Sequence, residues 1–386
     1  MTLNVLCFVK IEVYFERYNV RVKNMKIGII TFHRALNYGA LLQAFALRYS
    51  LEKLGADANL LDYRNDTIEE AYVYPSFFQR KSIKDKLKYI IQGKNEKKRR
   101  FKFEAFRNKY LNLSDKIYTH GDLVNAEGAY DKFITGSDQV WNYGAHNFDK
   151  SFFLDFVTDK SKKYSYAASF GFSSLPVEYT DEYRNLLTDF ACCSTRESHG
   201  SNILDQLGVD QRRIDIDPSM LLTKEEWKEQ LNITDNNSSK YIFVYSFELT
   251  DTLCAFINQL AAKTGCYVLL VGSPLFNPFK CKLKALKAAD PIDFVRAIAN
   301  AEYVVTNSFH GTAFSIIFNK KFYVELLKTG AKVNSRLENV LHTFSLENRL
   351  INSENISDEV DWEAVNSKMN SLRNISIDYL KEIIND

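Results

Sequence analysis

From Met25 onward the chain alternates short apolar, β-branched runs with stretches of helical periodicity, and each apolar run ends in a polar loop. The run KIGIITF reads as a strand, and the turn formers of HRALNYGA follow it. Leu41–Leu54 then shows apolar positions at helical spacing and is stopped by Gly55, after which ANLLDY reads as a second strand. A strand, a crossing helix and a strand in that order form one Rossmann-like unit of a parallel sheet. The loop after the first strand lacks the GxGxxG pattern, so no dinucleotide site is read there.

The pattern recurs along the chain. YDKFITGSDQVWN is a strand entering a polar loop, and KKYSYAASFG is another. A helix over Glu178–Phe190 leads to a short strand ending at Thr195-Arg196-Glu197-Ser198, and RRIDIDPSMLL closes the first half. The polar break ITDNNSS separates it from a second half that opens with YIFVYSF. There follow a helix over Asp251–Lys263, the strand CYVLLVGS, a helix over Pro291–Asn300, the strand Glu302–Thr306, a helix over 312–318 and the strand KFYVEL. The expected architecture is α/β, two Rossmann-like domains over 25–235 and 236–350 facing a cleft. The tail 351–386 carries a long helix, Asp361–Ile384, expected to cross back onto the first domain. Residues 1–24 are expected to be an upstream extension ahead of a working start at Met25, the alternative being an extra strand.

Bulk properties narrow the class. The net charge of +2 on 386 residues is nearly balanced, and no apolar run approaches the ~20 residues that span a bilayer. The six cysteines show no CxxC spacing, which fits a reducing cytoplasm, with peripheral attachment to the inner face of the membrane as an extension of that reading. The six histidines lie scattered without ligand spacing, so no metal is expected. Residues 76–116 concentrate lysine and arginine among repeated Phe and Tyr. This insertion reads as an exposed basic helix, either simply solvated or a surface for an anionic or membrane-linked substrate. Nucleic acid is not an expected partner, given the balanced charge and the lack of a recognition motif.

In a parallel sheet, ligands bind at the carboxyl ends of the strands. Four polar loops fall there: Asn37-Tyr38-Gly39, Thr135-Gly136-Ser137-Asp138-Gln139, Thr195-Arg196-Glu197 and Asn307-Ser308-Phe309-His310-Gly311. His310 is placed in the turn between a buried strand and a helix whose N-terminus suits an anion, and Gly311 permits close backbone approach.

The blocks GIITFHRALNYGALLQAFAL, FITGSDQVWN, SYAASFG, STRESHG, DPSMLL and NSFHGTAFSIIF, in that order, resemble the polysaccharide pyruvyl transferase family over roughly Met25 to Leu350. The resemblance implies a GT-B-like fold and transfer of the enolpyruvyl part of phosphoenolpyruvate to a sugar of a surface polysaccharide precursor, usually as a pyruvate ketal. Phosphoenolpyruvate is then a co-substrate, no cofactor is required, and the acceptor is a sugar or lipid-linked oligosaccharide.

The resemblance implies His310 as catalytic proton donor and Arg196 as a donor-binding cation, the alternative for Arg196 being an ion pair with Glu197. Ser308 stands where the family pattern implies an arginine, and Ala40 where it implies an aspartate. Lys328, Lys332 or Arg336 are candidates for the missing cation, beside Ser308, Gly311 and Thr312 at the helix start. Asp138 is the candidate to orient or deprotonate a sugar hydroxyl. Asn37, Tyr38, Gly39 and Trp141 are candidate acceptor contacts, against the alternatives of helix capping for Asn37 and Asp138 and core packing for Trp141. The competing functions are a nucleotide-sugar glycosyltransferase on the same fold and a non-catalytic glycan-binding relative.

Overall fold

The computed structural model describes residues 25–72, 82–235, 240–327, 331–351 and 359–386. The expectations for 1–24 and for Lys328 lie outside the described residues.

The first sheet is wholly parallel, in the order β3-β2-β1-β4-β5. Its strands are β1 (Lys26–Ile30), β2 (Asp57–Tyr63), β3 (Leu113–Tyr118), β4 (Lys132–Thr135) and β5 (Lys163–Ser165). Helix α1 (Tyr38–Lys53) links β1 to β2, while α2 (Asp66–Ala71) and α3 (Ile83–Tyr110) precede β3. After α4 (Thr180–Leu187), the pair β6 (Cys193–Thr195) and β7 (Arg212–Ile214), separated by α5 (Ser198–Gln206), extends this layer through the bridges Tyr164–Cys192 and Ala168–Thr195. Helix α6 (Lys224–Gln230) leads to the second half.

The second sheet repeats the plan, in the order β10-β9-β8-β11-β12, again parallel throughout. It comprises β8 (Tyr241–Tyr245), β9 (Tyr267–Val271), β10 (Leu283–Leu286), β11 (Tyr303–Thr306) and β12 (Lys321–Val324). Helices α7 (Asp251–Thr264), α8 (Pro291–Ala299) and α9 (Phe309–Ile317) connect its strands, and α10 (Ala331–Thr343) and α11 (Trp362–Asn385) follow.

Over Tyr38–Leu47 helix α1 is buried on every side, including Leu41, Leu42, Ala44, Phe45, Ala46 and Leu47, and only its last turns reach water. A helix apolar all round belongs in the interior, and this one lies between the two layers. One apolar cluster accordingly runs from Ile27 and Ile134 of the first sheet through α1 to Phe243, Phe294 and Phe314 of the second half and on to Leu380.

Helix α11 returns to the first layer as expected. Ser376 Oγ donates to Asp215 Oδ1 at 2.9 Å, Tyr379 OH to the Ser165 carbonyl at 2.9 Å, and Arg373 Nε to the Met220 carbonyl at 3.0 Å.

The basic insertion departs from the reading of a merely solvated helix. Phe103 and Phe106 of α3 are buried, and Lys102 Nζ reaches Asp293 at 2.6 Å and Asp290 at 3.5 Å at the start of α8. Asn95 Nδ2 donates to Ser273 Oγ at 3.2 Å. Apolar burial and these pairings make α3 a strap across both layers, leaving Lys94, Lys97, Lys98 and Phe101 facing water. Among the described residues no helix is long and apolar enough to cross a membrane.

Candidate functional site

In each sheet the strand order reverses beside its first strand, between β1 and β4 and between β8 and β11. The crevice at such a point is open to a ligand because the flanking loops diverge. The start of α1, after the first of these strands, lies against His310, at the start of the helix after β11. A Cβ built on Gly39 would lie 1.9 Å from His310 Nδ1, so only glycine lets the ring lie against this backbone.

His310 is the second residue of α9, in its first turn rather than in a loop before it. Ser308 is the N-cap, its hydroxyl accepting from Gly311 N at 3.5 Å. A Cβ on Gly311 would fall 2.4 Å from Thr306 Oγ1, so glycine allows the helix to start hard against β11. Thr312 Oγ1 donates to the Ser308 carbonyl at 3.1 Å. Ser308, Gly311 and Thr312, expected to hold the donor, thus use these groups to build the helix start that aims His310.

The centre of the site is Asp217, to which the sequence reading gave no role. Its Oδ2 accepts from Arg196 Nη1 at 2.8 Å and from Ser137 Oγ at 3.1 Å, and lies 3.6 Å from His310 Nε2. Its Oδ1 accepts from Ser219 N at 2.9 Å and Ser219 Oγ at 2.7 Å. Burial would raise the Asp217 carboxyl, but the charges of His310 and Arg196 and the Ser219 hydroxyl hold it far below the usual carboxylate range. The signal was the Asp-Pro-Ser of DPSMLL, where an aspartate before proline caps a short turn.

Arg196 is buried, with Nε 3.5 Å from Glu197 Oε2 and its guanidinium 4.5 Å from the Phe309 ring centre. The ion pair with Glu197 is therefore present, but Nη2 makes no hydrogen bond among the described residues. Burial works against the cation, while Glu197, Asp217 and Asp138 together raise its pKa. Arg336, from α10, reaches the same region: the Gln139 amide oxygen accepts from its Nη1 at 3.1 Å and Nη2 at 2.8 Å in the orientation that satisfies both groups. Burial first, and the neighbouring Arg196 charge next, lower the Arg336 pKa. The buried Arg196 and part-buried Arg336 each keep a guanidinium N–H with no hydrogen-bond partner among the described residues, an arrangement whose chemistry suits an anion. The Lys332 side chain lies outside the described residues.

Asp138 sits at the edge of this cluster with φ of 75°, its Oδ1 accepting from Gln139 N at 3.0 Å. The remaining acceptor candidates divide. Asn37 caps α1, its Oδ1 accepting from Gly39 N at 2.9 Å and Ala40 N at 3.3 Å. Tyr38 stacks on Phe294 at 4.9 Å across the interface. Trp141 is corrected: it is wholly buried, stacked on Phe153 at 6.2 Å and packed by Phe170 and Phe190, with no face free for a sugar. Trp141→Ala is expected to destabilise the protein by about 3–5 kcal/mol in denaturant unfolding, the range for emptying a large aromatic site. A loss under ~1 kcal/mol would refute this core role.

No group of three or more metal-binding side chains is placed to hold an ion among the described residues.

Two Rossmann-like layers closing on a cleft whose cations converge on a buried carboxylate and a histidine define a GT-B-like architecture. The family model for polysaccharide pyruvyl transferase matches residues 37–324, from the cap of α1 to the last strand. The chain belongs to that family. Among solved structures it is similar to the UDP-GlcNAc 2-epimerase of Methanocaldococcus jannaschii, at 13% identity and TM-score 0.45, covering 91% of this chain and 93% of that one. The UDP-GlcNAc 2-epimerase of Neisseria meningitidis bound to UDP-GlcNAc is 11% identical, with 91% and 100% covered and TM-score 0.45. Spinosyn forosaminyltransferase is 8% identical, with 94% and 100% covered and TM-score 0.46. No curated protein matches the chain.

Proposed function

We propose that this transferase moves the pyruvyl group of phosphoenolpyruvate onto two hydroxyls of a sugar in a surface polysaccharide precursor, giving a pyruvate ketal and phosphate. The observation that carries this reading is the pair of guanidiniums, buried Arg196 and part-buried Arg336, beside a histidine whose ring faces the Asp217 carboxylate. Phosphoenolpyruvate brings a carboxylate and a phosphate, and two planar cations match two anionic groups. Arg336 takes the part of the cation missing at Ser308.

In this reading the His310 imidazolium protonates the methylene carbon, which makes C2 electrophilic. A sugar hydroxyl oxygen bonds to C2, the C2–phosphate bond breaks, and a second hydroxyl closes the ketal. Of the two hydroxyl protons, one replaces that given to the methyl carbon and the other leaves with phosphate. Asp138 receives or orients the first hydroxyl.

The test is a thermal shift with phosphoenolpyruvate on the parent, Arg196→Ala and Arg336→Ala. A dose-dependent rise in the parent, weakened in both variants, is expected. Stabilisation by UDP or GDP with none by phosphoenolpyruvate would transfer the case to a nucleotide-sugar glycosyltransferase. Gly39→Ala is expected to displace the His310 ring and lower turnover by roughly 100-fold, the scale on which a 1 Å misplacement is felt. Its donor affinity should change little. Unimpaired turnover would show that the contact between Gly39 and His310 has no part in the reaction.

A further inference from the structure

The outward face of α3 and the turn after β9 meet in one basic and apolar surface. Gln92 donates from its amide NH₂ to the Ser273 carbonyl, and Asn95 Nδ2 donates to Ser273 Oγ at 3.2 Å, so the turn is fixed against the helix. Beyond Ser273 it carries Leu275 and Phe276, 42% and 75% exposed. On the helix, Lys94, Lys97, Lys98 and Phe101 face water. Their spacing of three and four residues sets them in one row about 10 Å long. We propose that this surface docks on a bilayer bearing anionic phospholipids, with Phe101, Leu275 and Phe276 entering the headgroup layer and the lysines meeting the phosphates. The proposal stands apart from the pyruvyl-transfer reading and does not need it.

The charge on this surface is one-sided. Lys94, Lys97 and Lys98 have no acidic partner among the described residues, and the acid within their run, Glu96, turns to Arg99 at 3.1 Å and Arg100 at 3.3 Å. Asp290 and Asp293, at the start of α8, are held by Lys102 at 3.5 Å and 2.6 Å. Where the turn runs into β10, Lys282 and Lys284 are exposed and, two apart along a strand, share a face. On a chain whose net charge is only +2, these lysines gathered about one helix face and one turn make a local positive field.

The turn is built to hold its apolar tip outward. Its base is anchored by Phe279, which is buried against Ile257 and Leu260 of α7. Asn277 clamps it from within, Nδ2 donating to the Cys281 carbonyl at 2.8 Å and Oδ1 accepting from Phe279 N at 2.9 Å. Leu275 and Phe276 are thus presented to water by a closed turn with its own core contact.

Those apolar side chains decide the partner. A soluble polyanion would engage the lysines and gain nothing from an aliphatic leucine at a turn tip. A membrane interface uses both parts, since apolar side chains leave water at the boundary between headgroups and acyl chains while lysine stems reach back to the phosphates. Lysine also suits a contact made through the field of many headgroups, because a compact ammonium needs no planar partner.

The experiment is co-sedimentation of the full chain with vesicles of phosphatidylcholine and phosphatidylglycerol in about equal parts, and with vesicles of phosphatidylcholine alone. The parent is expected to bind the mixed vesicles, to bind phosphatidylcholine far less, and to be released as salt rises and screens the field. Lys94→Gln, Lys97→Gln and Lys98→Gln combined should weaken binding roughly 100-fold, at about fivefold for each lysine near an anionic surface. Phe276→Ser should weaken it roughly tenfold, and Leu275→Ser supplies the same reading if Phe276→Ser fails to fold. A control combining Lys116→Gln, Lys160→Gln and Lys381→Gln, all exposed on other parts of the chain, should bind as the parent does. Absence of parent binding to the mixed vesicles overturns the proposal, as does an equal loss in the control. Loss in the α3 lysine variant with none in the apolar variants, and soluble polyphosphate bound as tightly as the vesicles, would overturn it in favour of a polyanion.

Discussion

His310→Gln is expected to lower turnover by ~10²–10⁴, the usual worth of a positioned proton donor, while phosphoenolpyruvate binding changes by only a few-fold. The glutamine fills the space between Gly39 and Asp217 and keeps a polar group there, so packing is preserved. It cannot carry a proton to carbon. The guanidiniums of Arg196 and Arg336 are untouched, and they are the groups assigned to the donor. The measurement is phosphate release from phosphoenolpyruvate with the acceptor present, paired with a binding titration. Turnover within tenfold of the parent would remove His310 from proton transfer and leave it a packing residue between the two halves.

Asp217→Asn is expected to destabilise the fold by about 3–5 kcal/mol, the range for breaking one side of a buried charge network. The carboxylate is the shared partner of Arg196, Ser137, Ser219 and the His310 ring. An amide loses the charge and turns an N–H toward an existing donor. Turnover should fall, because the His310 ring loses the carboxylate that faces it. Donor affinity should hold or rise, because Arg196 is released from its internal anion. That split, weaker catalysis with undiminished binding, separates a positioning role from simple unfolding, and a parallel fall in both would contradict it. Acid titration gives a second readout. The folded protein keeps Asp217 deprotonated below the pH at which the unfolded chain protonates it, so the unfolded state binds more protons. Its contribution is complete above about pH 4 and is lost as pH falls toward the depressed folded value. The stability of Asp217→Asn should accordingly fall less steeply than that of the parent below that pH.

The alternation of elements was legible because buried parallel strands are short unbroken apolar runs. Among the strands that escaped, two did so for the converse reason. β3 (LSDKIY) and β10 (LKAL) are edge strands, part exposed and part polar, and carry no such signature. The start of α9 was placed at Thr312 because Asn307, Ser308 and Gly311 read as loop, whereas Ser308 caps a helix that already contains His310. Arg196, Asp138, Arg336 and His310 could be picked out singly, as polar groups at strand ends or cations downstream. Asp217 could not, because its meaning comes from partners contributed by separate loops around Ser137, Arg196 and His310, a proximity that only the folded chain provides. Trp141 misled because it follows the polar Gly-Ser-Asp-Gln turn, yet the chain re-enters the core there.

The all-round burial of α1 has a mechanical consequence. A helix wetted on neither side couples the two sheets as a keystone couples the arms of an arch, so a hinge that pulled them apart would expose its Leu, Phe and Ala flanks at once.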